Sequence, residues 1–599
     1  MKKIILLITF FFLTAGIKAQ PFNPLLANML RDTLNTYVSQ IGNIKGMSAS
    51  VYIPGQGIWN GVSGLSYAGN PVTADMRMGI ASNSKLFVAV IMLKLAENNI
   101  LSLNDSIKRW LPNYPNINPN ITIRQLLNHT SGISDPLFLS PWMDTIKANP
   151  TRVFTPHEVL GWVGPPLFPA GTSWGYSNIN YIVAGMIAKN ATGFSIARLI
   201  RDSILTPLNM NSTFYDVEEP ANGTIAHRWW NSVDYHDTSR VGLNTAGGCA
   251  GALFSTSAEM VQWYTALFNG QIINPSSINQ LTTFVGTGNA AYQYGLGFSR
   301  ENTQNYVYWG HGGSTWGYRS KMIYDSCLKV SVSGLTNSFP SGMEAVTFLL
   351  YRVVKNHIPG CSGPVSGTGN LCQGTNNITY TVPPIPGATS YTWTLPAGVS
   401  GTSNTNSITV NVGATAASGN ITVSGVNSFG PGGSSSLFIT VKPTPAAPVI
   451  TQNGNTLSSS APSGNQWYNA NGIINGATGS TYAVAVSGSY YCIVTLAGCS
   501  STPSNTINAV VTGVTNTGNG SSWKIFPNPV AGYFFSEIKG MSVINTTLNI
   551  YNLAGTLIKT ERITRQQQRI DVSLLAGGVY MVELQSGLLR VRQKLLVIR

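Results

Sequence analysis

Apolar positions dominate two stretches of the first 360 residues. "KLFVAVIMLKLAENN" (85–99) and "NINYIVAGMIAKNATG" (178–193) are apolar on most sides, a pattern that predicts helices enclosed by protein rather than laid on its surface. Strand-like runs separate them, among them "MSASVYIPGQGIWNGVSG" (47–64) and "KVSVSGLTNS" (329–338). The mixture predicts an α/β (α+β) domain large enough to hold an active site. Beyond residue 360 the pattern changes to short alternating runs, "SITVNV", "NITVSGV" and "TYAVAV", broken by Gly- and Pro-containing turns. That alternation predicts antiparallel strands of β-sandwiches. The Pro-rich "KPTPAAPVI" (442–450) divides them into two halves, each with a tryptophan, Trp393 and Trp467, expected to plug its core. From Lys524 a last set of strands follows: "TTLNIYNL", "GTLIKTERI", "QRIDVSLL", "GVYMVELQSG" and "QKLLVIR".

Composition sharpens these divisions. At 599 residues the chain is too long for one core. Residues 361–522 carry one charged side chain, Lys442. The net charge of +14 is dispersed, with 24 basic and 17 acidic residues in 1–360 and 10 basic and 4 acidic in 523–599, so it argues against nucleic-acid binding. The opening "MKKIILLITFFFLTAGIKA" (1–19) reads as a signal peptide, and no later run is long and apolar enough for a membrane span. Six cysteines suit an oxidising compartment. Cys492 with Cys499, Cys361 with Cys372, and Cys249 with Cys327 are the pairings considered, and spacing does not choose among them.

The chemistry begins at "GIASNSKLFVAV" (79–90), where Ser82 and Lys85 stand three apart at the head of the first apolar helix. That spacing places both side chains on one face. A serine is a weak nucleophile until a base takes its proton, and a lysine serves when burial lowers its proton affinity. Ser-x-x-Lys also occurs at Ser326 and Ser521, but neither starts a buried helix. Two further elements follow. "GYSNINY" holds Tyr176 and Asn178, 94 residues after Ser82; "GHGGSTWGYRS" holds His311, Gly313 and Ser314, with His311 135 residues after Tyr176. The segment "AHRWWNSVDYHD" (226–237) has His227, Asp234, His236 and Asp237 but no zinc spacing, and is expected to be an exposed loop over the cleft, with Trp229 and Trp230 as candidate lining of the site.

In that order, and with "ITIRQLLNHTSGI", "FPAGTSWGYSNINYIVAGMIAKNATG", "ILTPLNMNST", "AGGCAGALFSTSAEMVQW" and "YGLGF", residues of about 25–355 resemble the serine β-lactamase and penicillin-binding-protein-like hydrolases of class C type. The resemblance implies Ser82 as the acylated nucleophile, Lys85 as its activator and Tyr176 as general base and later acid, its phenolate favoured by Lys85. It implies Asn178, His311, Gly313 and Ser314 as substrate-binding residues, with the Ser82 and Ser314 N–H groups as the oxyanion hole, and no cofactor or metal. His311 stands where the β-lactamases have lysine, which favours esterase, amidase or D-amino-acid peptidase chemistry. His129 in "LLNHTSG" matches a structural motif of the family. The sandwiches resemble PKD-like and Ig-like modules. The end of the chain, through "FPNP" (526–529) and "LAGGVYMVEL", resembles the type A sorting domain of the type IX secretion system.

The expected layout is therefore a signal peptide (1–19), a β-lactamase-like domain (20–360), a PKD-like sandwich (361–443), an Ig-like sandwich (444–513), a linker (514–522) and a sorting domain (523–599). The expected function is a secreted or surface-attached serine hydrolase acting on small esters, amides or D-amino-acid peptides, with the type IX machinery as partner. The alternatives are a D-Ala-D-Ala carboxypeptidase or β-lactamase, and, from another class, a catalytically inactive surface adhesion protein.

Overall fold

The structure is a computed structural model and describes residues 21–41, 44–137, 139–304, 306–511, 522–587 and 589–599. The expected signal peptide, and residues 514–521 of the expected linker, lie outside the described residues. The chain divides into two compact units. The first runs to Asn370 and includes Thr375–Thr440; the second comprises Leu371–Gly374 and Val441–Arg599. No helix among the described residues is long and apolar enough to cross a membrane.

The first unit is built on a nine-stranded antiparallel sheet. Its strands are β1 (Gly46–Ile53), β2 (Gly57–Tyr67), β3 (Asn70–Pro71), β4 (Val285–Gly286), β5 (Tyr292–Tyr294), β6 (Ser299–Thr303), β7 (Tyr306–Thr315), β8 (Tyr318–Asp325) and β9 (Val330–Thr336), in the order β3-β2-β1-β9-β8-β7-β6-β5-β4. Helices cover both faces, so the central strands are buried on both sides although the sheet is antiparallel. On one face lie α1 (Pro24–Gln40) and the last helix of the domain, α5 (Met343–His357). Helix α1 starts at Asn23, whose side chain accepts from the Leu25 and Leu26 N–H groups, with Pro24 at the first turn. Its Leu26, Leu30, Leu34 and Val38 repeat every four residues and are the ones buried. Along β1 the alternation is complete. Met47, Ala49, Val51 and Ile53 join this apolar layer, while Ser48 and Ser50 face the other way and both hydrogen-bond Ser257 at 2.8 Å.

Ser257 opens α4 (Ser257–Phe268) on the second face, where the larger core also holds α2 (Ser84–Glu97) and α3 (Ile179–Thr192). Helix α2 is buried on nearly every side, as its all-round apolar pattern predicts. It is the post from which the site hangs.

The PKD-like part of the first unit is seated on the α1 and α5 layer. Asn23 donates to the Ser428 carbonyl, Gln56 to the Phe429 carbonyl and Asn427 to the His357 carbonyl, each at 2.8 Å. Phe429 packs on the same core, and a Cβ at Gly432 would lie 2.2 Å from the Pro359 carbonyl, so only glycine fits there. The core of this part is filled by Tyr380, Ile408, Val410, Ile421 and Val423. Trp393, expected as its plug, is half-buried. It faces inward opposite Val423 but sits on an edge strand (Ser390–Thr394), where one neighbour covers it.

In the second unit, strands Asn465–Asn469 and Gly488–Leu496 close with Ile450–Asn453 and Thr456–Ser459 around Trp467, which is fully buried as expected. The final module packs the sheet of Ser522–Phe526, Tyr533–Lys539 and Gln567–Asp571 against a four-stranded one, with Trp523, Phe534, Leu548 and Val582 between them.

The cysteines pair differently from every pairing considered. Cys327 bonds Cys361 and Cys372 bonds Cys499, while Cys249 and Cys492 are free. Cys492 flanks the same turn as Cys499, but Cys499 stands opposite Leu496 and Cys492 opposite Trp467, so the two are out of register. The Cys327–Cys361 bridge ties the chain leaving α5 to the β8–β9 turn and closes a loop with a sequence separation of 34. Replacing both cysteines by serine is expected to lower the stability of the first unit by about 3–4 kcal/mol from loop entropy. Calorimetry would show this as a lower melting transition, and an unchanged transition would contradict it.

Candidate active site

Ser82 sits in the short 3-10 turn Ala81–Asn83 that leads into α2. Between Met78 and Leu93 it is the only residue that is not buried. Ala81 has φ +49°, a left-handed conformation that costs a residue with a Cβ and marks a tightly held turn. Three hydrogen bonds, to Leu253 and Ser320, hold the turn. The Ile80 N–H donates to the Leu253 carbonyl, the Ser320 hydroxyl donates to the Ile80 carbonyl at 2.6 Å, and the Asn83 amide donates to Ser320 Oγ at 2.8 Å.

Lys85, one turn later, is fully buried. Its Nζ donates to Ser82 Oγ at 3.1 Å, to Asn178 Oδ1 at 2.7 Å and to the Ala250 carbonyl at 2.8 Å. Three acceptors match its three N–H donors. Burial lowers its pKa to about 7, with the Asp135 carboxylate opposing the shift. Asn178 stands at the head of α3, and Asp135 Oδ2 accepts both its backbone N–H (2.9 Å) and its side-chain amide (2.8 Å).

Tyr176 lies beside this pair, its ring 4.9 Å from Lys85 Nζ. Burial raises its pKa far above the ordinary phenol value, with a hydrogen bond to Ser82 working the other way. The expected phenolate is therefore opposed, because burial disfavours the anion. The His129 ring lies against that of Tyr176, tilted by 37° with centroids 4.4 Å apart, and its Nδ1 receives the Ser177 N–H and the Asn180 amide. It orients the Tyr176 segment, in keeping with a structural role.

His311, on β7, is also buried. Its Nδ1 meets the Gly312 carbonyl, which can only accept, so Nδ1 carries the proton and Nε2 accepts from Tyr294 at 2.9 Å. Burial and Lys85 push its pKa down to about 3, so it is neutral at physiological pH. Strand β6 pairs with β7 only as far as Gly310. The bare edge from His311 to Thr315 runs beside the Ala81–Asn83 turn, where Asn83 donates to the His311 carbonyl at 3.3 Å. A Cβ at Gly313 would lie 2.3 Å from both the Ile80 carbonyl and Ser320 Oγ. Glycine at this position is what lets the strand approach Ser82. Ser314 is exposed and lines the same cavity as Ser82.

That cavity has a volume of about 360 Å³. Ala81, Ser82 and Asn178 form its floor, and its walls are largely apolar: Leu137, Met143, Ile146, Trp230, Leu243, Trp316 and Phe339. Among the described residues, Lys147 is the one charged residue that lines it. The segment 226–237 folds as a hairpin (Trp229–Trp230 with Val233–Asp234), and Trp230 stacks on Phe339 at 4.5 Å. Trp229 turns away and donates to the Ser66 carbonyl. His227 hydrogen-bonds Asp234 at 2.7 Å and stacks on His236.

The structure thus brings Ser82, Lys85, Tyr176, Asn178, His311, Gly313 and Ser314 together. Residues missed in the sequence are Asp135, Asn83, Ser320 and Tyr294. Tyr294 belongs to "YGLGF", whose Gly297 packs against the backbone of Lys85 and Leu86. Asp135 follows "HTSGI" closely and carries no spacing signal of its own.

Residues 34–354 match the beta-lactamase family model, more than half of the chain. The chain belongs to the beta-lactamase family. Residues 359–439 match a PKD-like domain and 524–598 a secretion system C-terminal sorting domain. The chain is similar to penicillin-binding protein 4* of Bacillus subtilis, 27% identical over 272 residues, covering 42% of this chain and 59% of that protein. It is likewise similar to protein flp of Staphylococcus aureus, 27% identical over 338 residues, covering 54% and 66%. It therefore spans about three fifths to two thirds of the length of these curated relatives. The D-amino acid amidase of Ochrobactrum anthropi SV3 complexed with D-phenylalanine shares the fold, with a TM-score of 0.50 and 23% identity over 55% of this chain and 99% of that one.

Gly313→Ala forces a Cβ into the Ile80 carbonyl. It is expected to destabilise the first unit by about 1–3 kcal/mol and to slow labelling of Ser82 by a fluorophosphonate by about tenfold or more, because the edge of β7 is displaced from the Ser82 hydroxyl. Melting temperature and labelling rate together check both effects.

Proposed function

We propose that the chain is an exported serine hydrolase that works through an acyl-enzyme on Ser82. The observation that carries this reading is a buried lysine, held near neutrality, donating to the hydroxyl of the one accessible residue in an otherwise buried segment. In its neutral form Lys85 accepts the Ser82 proton as Oγ attacks the substrate carbonyl carbon. The N–H groups of Ser82 and Ser314 are the candidate donors to the resulting oxyanion, worth about 3 kcal/mol each if aligned. Tyr176, kept protonated by burial, is suited to hand a proton to the leaving group and regain one from the Lys85 ammonium. Water then hydrolyses the ester on Ser82 by the same steps in reverse.

The apolar cavity favours an acyl or side chain that is itself apolar or aromatic. Neutral His311 supplies no fixed positive charge for a substrate carboxylate, which favours esters, amides and D-amino-acid derivatives over penicillins. The C-terminal sorting domain supports export, with the type IX machinery as partner and either release or surface attachment as the end point.

Intact-mass spectrometry after exposure to a fluorophosphonate, and separately to a penicillin, tests this reading. One fluorophosphonate adduct is expected, absent in Ser82→Ala and slowed by about 10²–10⁴ in Lys85→Ala. The penicillin is expected to leave little adduct. The labelling rate is expected to rise with pH through about 7, because the charged lysine cannot accept a proton and its deprotonated form can. Absence of any adduct on folded protein would favour the non-catalytic adhesion reading.

A further inference from the structure

We infer that Asp135 is a positioning residue of this site: it fixes which end of the Asn178 amide meets Lys85, and its carboxylate is the counter-charge held across Asn178 from that lysine. The inference deepens the serine-hydrolase reading and rests on it.

Three hydrogen bonds hold the Asp135 carboxylate. Oδ1 accepts the Leu137 N–H at 3.1 Å, and Oδ2 accepts the Asn178 N–H at 2.9 Å and Asn178 Nδ2 at 2.8 Å. A carboxylate only accepts, so the Asn178 nitrogen must face Asp135 and its oxygen must face Lys85, where the Oδ1–Nζ distance is 2.7 Å. Without Asp135 the amide would be free to turn its NH₂ toward the ammonium, donor against donor. The carboxylate also lies at the head of α3, where the helix dipole favours a negative charge.

The groups facing Lys85 make Asp135 the decisive charge. From the α2 side there is the Ser82 hydroxyl, and from the 248–250 turn the Ala250 carbonyl. Tyr176 and Tyr181 present ring faces at 4.9 and 5.6 Å. His129 and His311 are both neutral, their proton affinity lowered by burial and by Lys85 itself. Asp135 is the one group that counters the desolvation of the ammonium. Its removal would leave Lys85 neutral to lower pH.

The test follows the rate of Ser82 labelling by a fluorophosphonate from pH 5 to 10 in the full chain, for wild type, Asp135→Asn, Asp135→Ala and Asp135→Glu. In the Asn variant the side-chain oxygen can still accept from Asn178, and the acid limb is expected to move down by about one unit or more. In the Ala variant the limb moves the same way, and the plateau also falls as the Asn178 amide loses its orientation. The Glu variant keeps the charge while displacing it, so its limb stays near wild type with a lower plateau. A limb that stays in place in the Asn and Ala variants overturns the inference, as does one that moves equally far in the Glu variant, since general disturbance would then explain it. Absence of labelling in wild type at every pH is distinguishable from these, because it removes the serine-hydrolase reading itself.

Discussion

The desolvation of one ammonium organises this domain. Lys85 is fully buried, and an unpaired buried charge would be too costly to keep. The structure meets that cost with three acceptors drawn from three segments of the chain, Ser82, Asn178 and Ala250. Each acceptor must be brought to within about 3 Å, which ties α2, α3 and the 248–250 turn into one arrangement. Gly185 of α3 belongs to the same closure, since a Cβ there would overlap the Cys249 sulfur. The interaction that makes the lysine tolerable is thus also what places it against the Ser82 hydroxyl.

The same low-polarity setting decides the protonation of its neighbours. Tyr176, His129 and His311 are buried with Lys85, and in each the neutral form is favoured. The site therefore holds one proton acceptor that titrates near neutrality and a ring of neutral hydrogen-bonding partners. With His311 neutral and hydrogen-bonded to Tyr294, the edge of β7 offers shape and backbone donors to a substrate but no cation.

The rest of the chain adds modules of different physics. The PKD-like part is joined to the α1 and α5 layer by side-chain hydrogen bonds, Phe429 and a disulfide, so within the first unit it is a packed extension. The modules of the second unit carry their own small cores around Trp467 and around Trp523 and Phe534.

Periodicity and motif order by themselves determined much of this protein. The all-round apolar pattern of 85–97 required a buried helix, the Ser82–Lys85 spacing put a base beside a hydroxyl, and alternation after residue 360 required sheets. These are local properties, and local physics carries them. What the tertiary structure decided were matters of distance and of water. Asp135 is one acidic residue among 21 until folding brings it to Asn178. The cysteine partners depended on strand register, which spacing does not encode. Trp393 and Trp467 read alike in sequence, but only the second has a sheet closed over it. The protonation of Tyr176 turned on desolvation, a sum over everything packed around the ring, and no motif of three residues contains that sum.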